Sequence, residues 1–268
     1  MTGITVIGAC GRMGKLIIGN ILDYNDLTLT GALESNNHPD LDKDAGTVSG
    51  HGECGVNVTS DIRKVMNTTD IFIDFSTGQV IENARLAVAN NKGIVIGVTA
   101  LSSNDKTTLA KLADEEQGKI VFAPNMSIGV NLLFHVTKMV SEILNKNYEV
   151  EIIEMHHNQK KDAPSGTAEK LAEIIAETRH LDLEKDARYG RFGIAGPRDK
   201  NEIGIHVLRG GDVVGEHTVI FAAEGERVEL THKASSRQTF AKGALEAARF
   251  LDNAKPGLYD MQDVLGIK

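Results

Sequence analysis

Over the first half of the chain, short apolar runs alternate with longer amphipathic ones. Ile4–Ile7 suits a strand buried on both faces; a helical run follows from Lys15 to Leu22, then an alternating run from Leu27 to Leu33. Val56–Val58 predicts a short strand and Asp61–Met66 a helix, while residues 40–55 are rich in Gly and Asp and read as loop. Ile71–Phe75, Ile94–Ile96 and Ile120–Ala123 read as further buried strands, separated by helical runs at Val80–Asn90 and Ser103–Glu116. Such alternation with short connections predicts a parallel sheet with right-handed crossovers. Its ligands should lie where the strands end.

From Gly129 the pattern changes. Val130–Leu144 is a long helical run, Glu149–Met155 a strand with an acidic face, and Ala168–Thr178 another helix. Residues 182–201 are charged and Gly-containing, a loop or hairpin. Ile203–Leu208, Val213–Gly215, His217–Ala223 and Arg227–His232 are β segments without intervening helices, with turns at residues 209–212 and 223–226. Arg237–Leu251 is helical again, with an Ala-rich apolar face. The expected class is α/β: a Rossmann-like parallel-sheet nucleotide domain plus an α+β domain with an open mixed sheet.

A chain of 268 residues allows one or two domains. Its net charge of −8 and pI near 5.6 argue against a nucleic-acid surface, and 4% aromatics without Trp leave no stacking platform. Cys10 and Cys54 have neither metal spacing nor a staple pattern, which makes the cytoplasm the expected compartment. No basic stretch precedes Ile4, and no apolar run reaches the roughly 18 residues of a membrane span.

The first strand runs directly into Gly8-Ala9-Cys10-Gly11-Arg12-Met13-Gly14, and the second ends at Glu34. Glycines there permit a tight turn, backbone approach to a pyrophosphate and close helix packing, while the carboxylate suits an adenosine ribose. Ser35-Asn36-Asn37 brings no Arg or Lys beside Glu34. A carboxylate repels a 2′-phosphate, so NADH is expected to be favoured over NADPH, with Arg12 the source of residual NADPH binding.

Chemistry concentrates in Glu154-Met-His-His-Asn-Gln-Lys-Lys-Asp-Ala-Pro-Ser-Gly-Thr167, between a strand and a helix. The helix start offers N–H groups to a carboxylate or phosphate; Gly166 allows close approach, and Ser165 or Thr167 can cap the helix or donate to a ligand. His156 and His157, adjacent on a strand, face opposite sides and cannot chelate one ion, so no metal is expected.

This string closely resembles the signature of the 4-hydroxy-tetrahydrodipicolinate (dihydrodipicolinate) reductases of lysine and diaminopimelate biosynthesis. The resemblance implies His156 as general acid, Lys160 as second proton donor, and His157, Gly166 and Thr167 as contacts to a cyclic dicarboxylate. Gly97-Val98-Thr99 and Ala123-Pro124-Asn125-Met126 resemble the segments holding the nicotinamide half of the cofactor, with Val98, Pro124 and Met126 departing from the usual residues. Lys233–Arg237 resembles another family stretch. By the same resemblance, residues 1–126 and 237–268 form the dinucleotide domain, residues 127–236 the substrate-binding and oligomerisation domain, and four chains associate. Rival expectations are another two-domain NAD(P)-dependent dehydrogenase, or an NADH sensor without catalysis.

Overall fold

A computed structural model describes residues 1–99 and 101–268. The chain divides into two compact units: Met1–Ile128 with Arg237–Gly266, and Gly129–Ser236 with the last two residues.

In the first unit the strands are β1 (Thr2–Ile7), β2 (Leu27–Leu33), β3 (Val58–Thr59), β4 (Ile71–Asp74), β5 (Gly93–Ile96), β6 (Lys119–Phe122) and β12 (Gly257–Tyr259). All are parallel, in the order β12-β6-β5-β4-β1-β2-β3. Alternate residues of the apolar runs feed two cores. Ile4, Val6, Ile73, Val95 and Val121 face α1 (Arg12–Leu22) and α8 (Gln238–Asn253). Ile7, Phe72, Ile94, Ile96 and Ile120 face α3 (Val80–Ala89) and α4 (Ser103–Asp114). Cover on both faces is why these strands are continuously apolar, each fully buried Ile or Val side chain contributing about 1.5–3 kcal/mol. The small side chains of α8 allow close approach: a Cβ on Gly243 would stand 1.7 Å from the Met126 carbonyl oxygen.

The glycine-rich turn joins β1 to α1. Gly8 takes φ +79°. Its N–H and that of Ala9 both donate to the Leu33 carbonyl, at 2.9 and 3.0 Å, which folds the turn onto the end of β2. Gly14 serves packing: a Cβ there would lie 2.2 Å from the Gly8 carbonyl oxygen and 2.7 Å from Ala9 Cα, contacts that backbone cannot relieve. Gly14→Ala is therefore expected to destabilise the protein by about 1–3 kcal/mol, as overpacking does, and to weaken NADH binding. Thermal unfolding and a fluorescence titration with NADH measure the two effects.

Several local expectations need correction. Asp61–Met66 forms only a 3₁₀ turn, Ile62–Lys64, because Asp61 caps Arg63 N–H and the chain then folds back as Thr68 and Thr69 bond to the Val65 carbonyl. Val56 lies outside β3. The loop of residues 40–55 contains α2 (Ala45–Ser49), nucleated by Asp44, whose carboxylate accepts from Thr47, Cys54 and Gly55. After α8 the tail adds edge strand β12 and α9 (Met261–Leu265), which Asp260 caps.

In the second unit the strands are β7 (Glu149–His156), β8 (Ala187–Tyr189), β9 (Ile203–Arg209), β10 (Gly215–Ala223) and β11 (Glu226–Ala234). Their order is β11-β10-β7-β9-β8; β7, β8 and β9 are parallel, while β10 runs antiparallel to both β7 and β11, a mixed sheet as expected. Val213 stays in the turn before β10, and residues 182–201 include α7 (Leu183–Asp186) as well as β8. One face of the sheet, carrying Val150, Ile152, Ile205, Val219 and Phe221, packs on α5 (Ile128–Leu144) and α6 (Gly166–Arg179). On the other face Glu151 binds Arg191, Arg198 and His206. Burial raises the Glu151 pKa, but these donors outweigh it and hold the carboxyl at about 2.

Candidate functional site

In the first unit, candidate cofactor residues gather at the carboxyl ends of the parallel strands. Gly8, Ala9, Cys10 and Gly11 form the turn after β1, and Arg12 and Met13 open α1. Gly11 caps α1 without a side-chain bond, so the first amides of the helix remain available to an anion. Glu34 stands just past β2, with its carboxylate accepting from Cys10 N–H at 3.1 Å and from Ser35 N–H at 2.9 Å. The acid and the turn are thus fixed to each other. Gly97, Val98 and Thr99 follow β5, and Ala123, Pro124, Asn125 and Met126 follow β6. Ala9, Ala123 and Met126 bury their side chains in the core, so these positions offer a ligand only backbone. A dinucleotide fits this donor set: bare amides for the pyrophosphate and an acid for the ribose.

Cys10 is a thiol rather than a thiolate. Burial first, then the carboxylates of Glu34 and Asp40, push its pKa up to about 11. Its sulfur and donor atoms of His38 and Asp40 lie within 4.8 Å of one another, a grouping that sequence spacing does not signal.

In the second unit, β7 ends at His156 and α6 opens at Gly166. Ser165 is the cap, its Oγ accepting from Ala168 N–H at 3.3 Å. No atom lies within 4 Å of a Cβ built on Gly166, so the helix start is open to a ligand. Thr167 follows in the first turn, half-buried. The loop between carries His157 and Lys160. His157 Nδ1 accepts from Gln159 N–H at 3.2 Å, and Lys160 Nζ donates to Asp162 Oδ2 at 2.7 Å.

His156 is buried, and its Nδ1 lies 2.5 Å from Glu154 Oε2. Because Nδ1 is engaged, Nε2 is the atom left for proton exchange. Burial lowers the His156 pKa below the ordinary imidazole value; Glu154 opposes this only in part, since Lys160 and Arg209 also act against the imidazolium. His217 packs edge-on to His156, with ring centroids 5.2 Å apart, and its Nε2 lies 3.0 Å from Ser165 Oγ. Burial, then the neighbouring His156, drives the His217 pKa down to about 3, so this ring is neutral near pH 7.

Sequence reasoning gave no role to Glu154 or Arg209. Glu154 is fully buried and accepts from His156, from Ser165 N–H at 3.0 Å and from both Arg209 Nη atoms, at 2.9 and 3.1 Å. Burial raises its pKa, but Arg209 and His156 outweigh that, and the net shift is downward. The acidic-face reading of β7 holds for Glu149 and Glu151 but fails at Glu154, which shares its face with Val150, Ile152 and His156. That parity was the available signal.

Residues 2–126 match the family description "Dihydrodipicolinate reductase, N-terminus" and residues 129–265 "Dihydrodipicolinate reductase, C-terminus". A 4-hydroxy-tetrahydrodipicolinate reductase of Hahella chejuensis is 49% identical, and one of Geotalea daltonii 46%, each over all of both chains. Among solved structures, a dipicolinate-bound dihydrodipicolinate reductase from Paenisporosarcina sp. TG-14 is similar at TM-score 0.79 and 26% identity, covering 98% of each chain. A myo-inositol dehydrogenase of Lactobacillus casei shares the fold at TM-score 0.64 and 14% identity, covering 100% of this chain and 91% of its own.

Proposed function

This chain belongs to the dihydrodipicolinate reductase family and is an NAD(P)H-dependent 4-hydroxy-tetrahydrodipicolinate reductase of lysine and diaminopimelate biosynthesis; within that activity we propose that His156 and Lys160 are its proton-transfer groups. The reaction takes 4-hydroxy-tetrahydrodipicolinate, NAD(P)H and a proton to tetrahydrodipicolinate, NAD(P)⁺ and water. The cofactor, when bound, supplies the hydride. The protein must hold a doubly charged ring and deliver a proton. One observation carries the assignment: a buried imidazole at the end of β7 whose Nδ1 is tied to a carboxylate and whose Nε2 is left for exchange, just before the loop that leads into an open helix N-terminus.

The roles follow from the chemistry. One ring carboxylate is received by the amides of Gly166 and Thr167 at the positive end of α6, with His157 adding a donor. His156 is the general acid. The Lys160 ammonium stabilises electron density that develops on the ring and is the second proton donor. The dipicolinate in the Paenisporosarcina enzyme supports a cyclic dicarboxylate as the ligand here.

The first unit is read as the dinucleotide domain and the second as the domain of substrate binding and oligomerisation. Gly8 to Met13 hold the pyrophosphate, Glu34 the adenosine ribose, and residues 97–99 and 123–126 the nicotinamide half. NADH is the favoured cofactor, because Glu34 accepts from a 2′-hydroxyl and repels a 2′-phosphate. Four chains associate through the open face of the second sheet, where Ile153, Met155, Leu208 and Ile220 are left uncovered by α5 and α6. The cytoplasm is the proposed compartment; among the described residues no helix is long and apolar enough to cross a membrane.

A coupled assay tests this reading. Substrate is made in place by the synthase that condenses pyruvate with aspartate semialdehyde, and consumption of each cofactor is followed at equal salt. Turnover with both cofactors and a higher kcat/KM for NADH are expected. Equal kcat/KM for the two would remove the role given to Glu34.

A further inference from the structure

We propose that Glu154 is a positioning residue, one carboxylate that fixes both the imidazole of the proton donor and the helix start that receives the substrate carboxylate. The proposal rests on the reading of His156 given above and assigns a function to the carboxylate tied to its Nδ1. Oε2 takes His156 Nδ1 at 2.5 Å and Arg209 Nη1 at 2.9 Å, while Oε1 takes Ser165 N–H at 3.0 Å and Arg209 Nη2 at 3.1 Å. Ser165 in turn caps α6. The end of β7 and the start of α6 are thereby pinned to the same two oxygens.

Stability does not explain this arrangement. A buried, paired charge is on average no better than apolar side chains of the same volume, because desolvation consumes the Coulombic gain. What the carboxylate confers is geometry and a tautomer. With Glu154 accepting at Nδ1, the neutral ring carries its hydrogen there, and Nε2 gains and loses the transferred proton. Arg209 keeps Glu154 ionised and so preserves its role as acceptor.

The groups facing His156 are Glu154 on its own strand, Lys160 in the loop, Arg209 on β9 and His217 on β10. Only Glu154 favours the imidazolium. Lys160 and Arg209 are cations, and His217 is neutral. Removing the Glu154 charge must therefore move the His156 titration to lower pH.

Glu154→Gln is isosteric and tests this. The expected result is a fall in kcat of about tenfold or more, within the range for impaired proton transfer, with NADH affinity unchanged. The limb of kcat/KM that falls as pH rises should move to lower pH, and Glu154→Asp should restore part of kcat. A kcat within about threefold of wild type and an unmoved limb would overturn the proposal. So would a loss of stability and affinity without movement of the limb, the signature of a merely structural residue. If the variant does not fold, ¹⁵N spectra of the wild-type imidazole decide: hydrogen on Nδ1 is expected, and a neutral ring protonated only at Nε2 would refute it. Should His156→Gln leave kcat intact, it is the role of His156 that fails; should it impair kcat while Glu154→Gln does not, only the role of Glu154 fails.

Discussion

Replacing His156 by Gln should lower kcat by about 10²–10⁴-fold, the usual loss when a positioned acid is removed. Gln is polar and of similar size, so the space beside His217 and Gly215 stays filled. The fold and NADH affinity should therefore survive, and the loss should fall on the chemical step. The pH profile supplies a second readout. In the wild type, kcat/KM should fall as pH rises through the His156 pKa, which burial holds below the ordinary imidazole value, and the Gln variant should lack that limb. A kcat within about threefold of wild type would rule this imidazole out as the acid.

Lys160→Ala should produce a loss of the same order, about 10²–10⁴-fold in kcat, with little change in stability. The contrast follows from the environment. Among the described residues the ion pair of Lys160 is with Asp162, 2.7 Å away at the protein surface, the Asp162 side chain being 63% exposed and that of Lys160 19%. Exposed ion pairs contribute about 0–1 kcal/mol, so the melting temperature should hardly move. Lys160→Arg separates the two roles of the ammonium. Guanidinium keeps the positive charge but does not release a proton near neutrality, so a preserved KM with a depressed kcat would indicate proton donation, whereas a near-normal kcat would reduce Lys160 to a charge. Steady-state kinetics and thermal unfolding of both variants decide the matter.

The amino-acid sequence by itself determined the inner strands of the first sheet. Apolar runs such as Ile71–Ile73 and Ile94–Ile96 are legible because cover on both faces requires every position to be apolar, a local property. The glycine turn and Glu34 were legible for a related reason, since backbone freedom and the place where a strand ends are written in neighbouring residues. His156, Lys160, His157, Gly166 and Thr167 were proposed from an unbroken string of residues between the end of β7 and the start of α6. The Ser165 cap was one of two alternatives, and the folded chain takes it because Ser165 Oγ accepts from Ala168 N–H.

What lay outside local reach was decided by tertiary structure. The final strand, β12, exists only because β6 offers it an edge, and Gly257–Tyr259 has little pattern of its own. Asp61–Met66 had helical character but too few residues to sustain a nucleus once Asp61 and the threonines supplied competing bonds. The polar network behind His156 joins Glu154 on β7, Ser165 at α6, Arg209 on β9 and His217 on β10, residues brought together by strand pairing. Strand parity could have shown that Glu154 points inward. That a buried carboxylate would find Arg209 waiting there depends on the register between β7 and β9, which sets His156 opposite Arg209 and is fixed by burial of whole faces rather than by any short run of sequence.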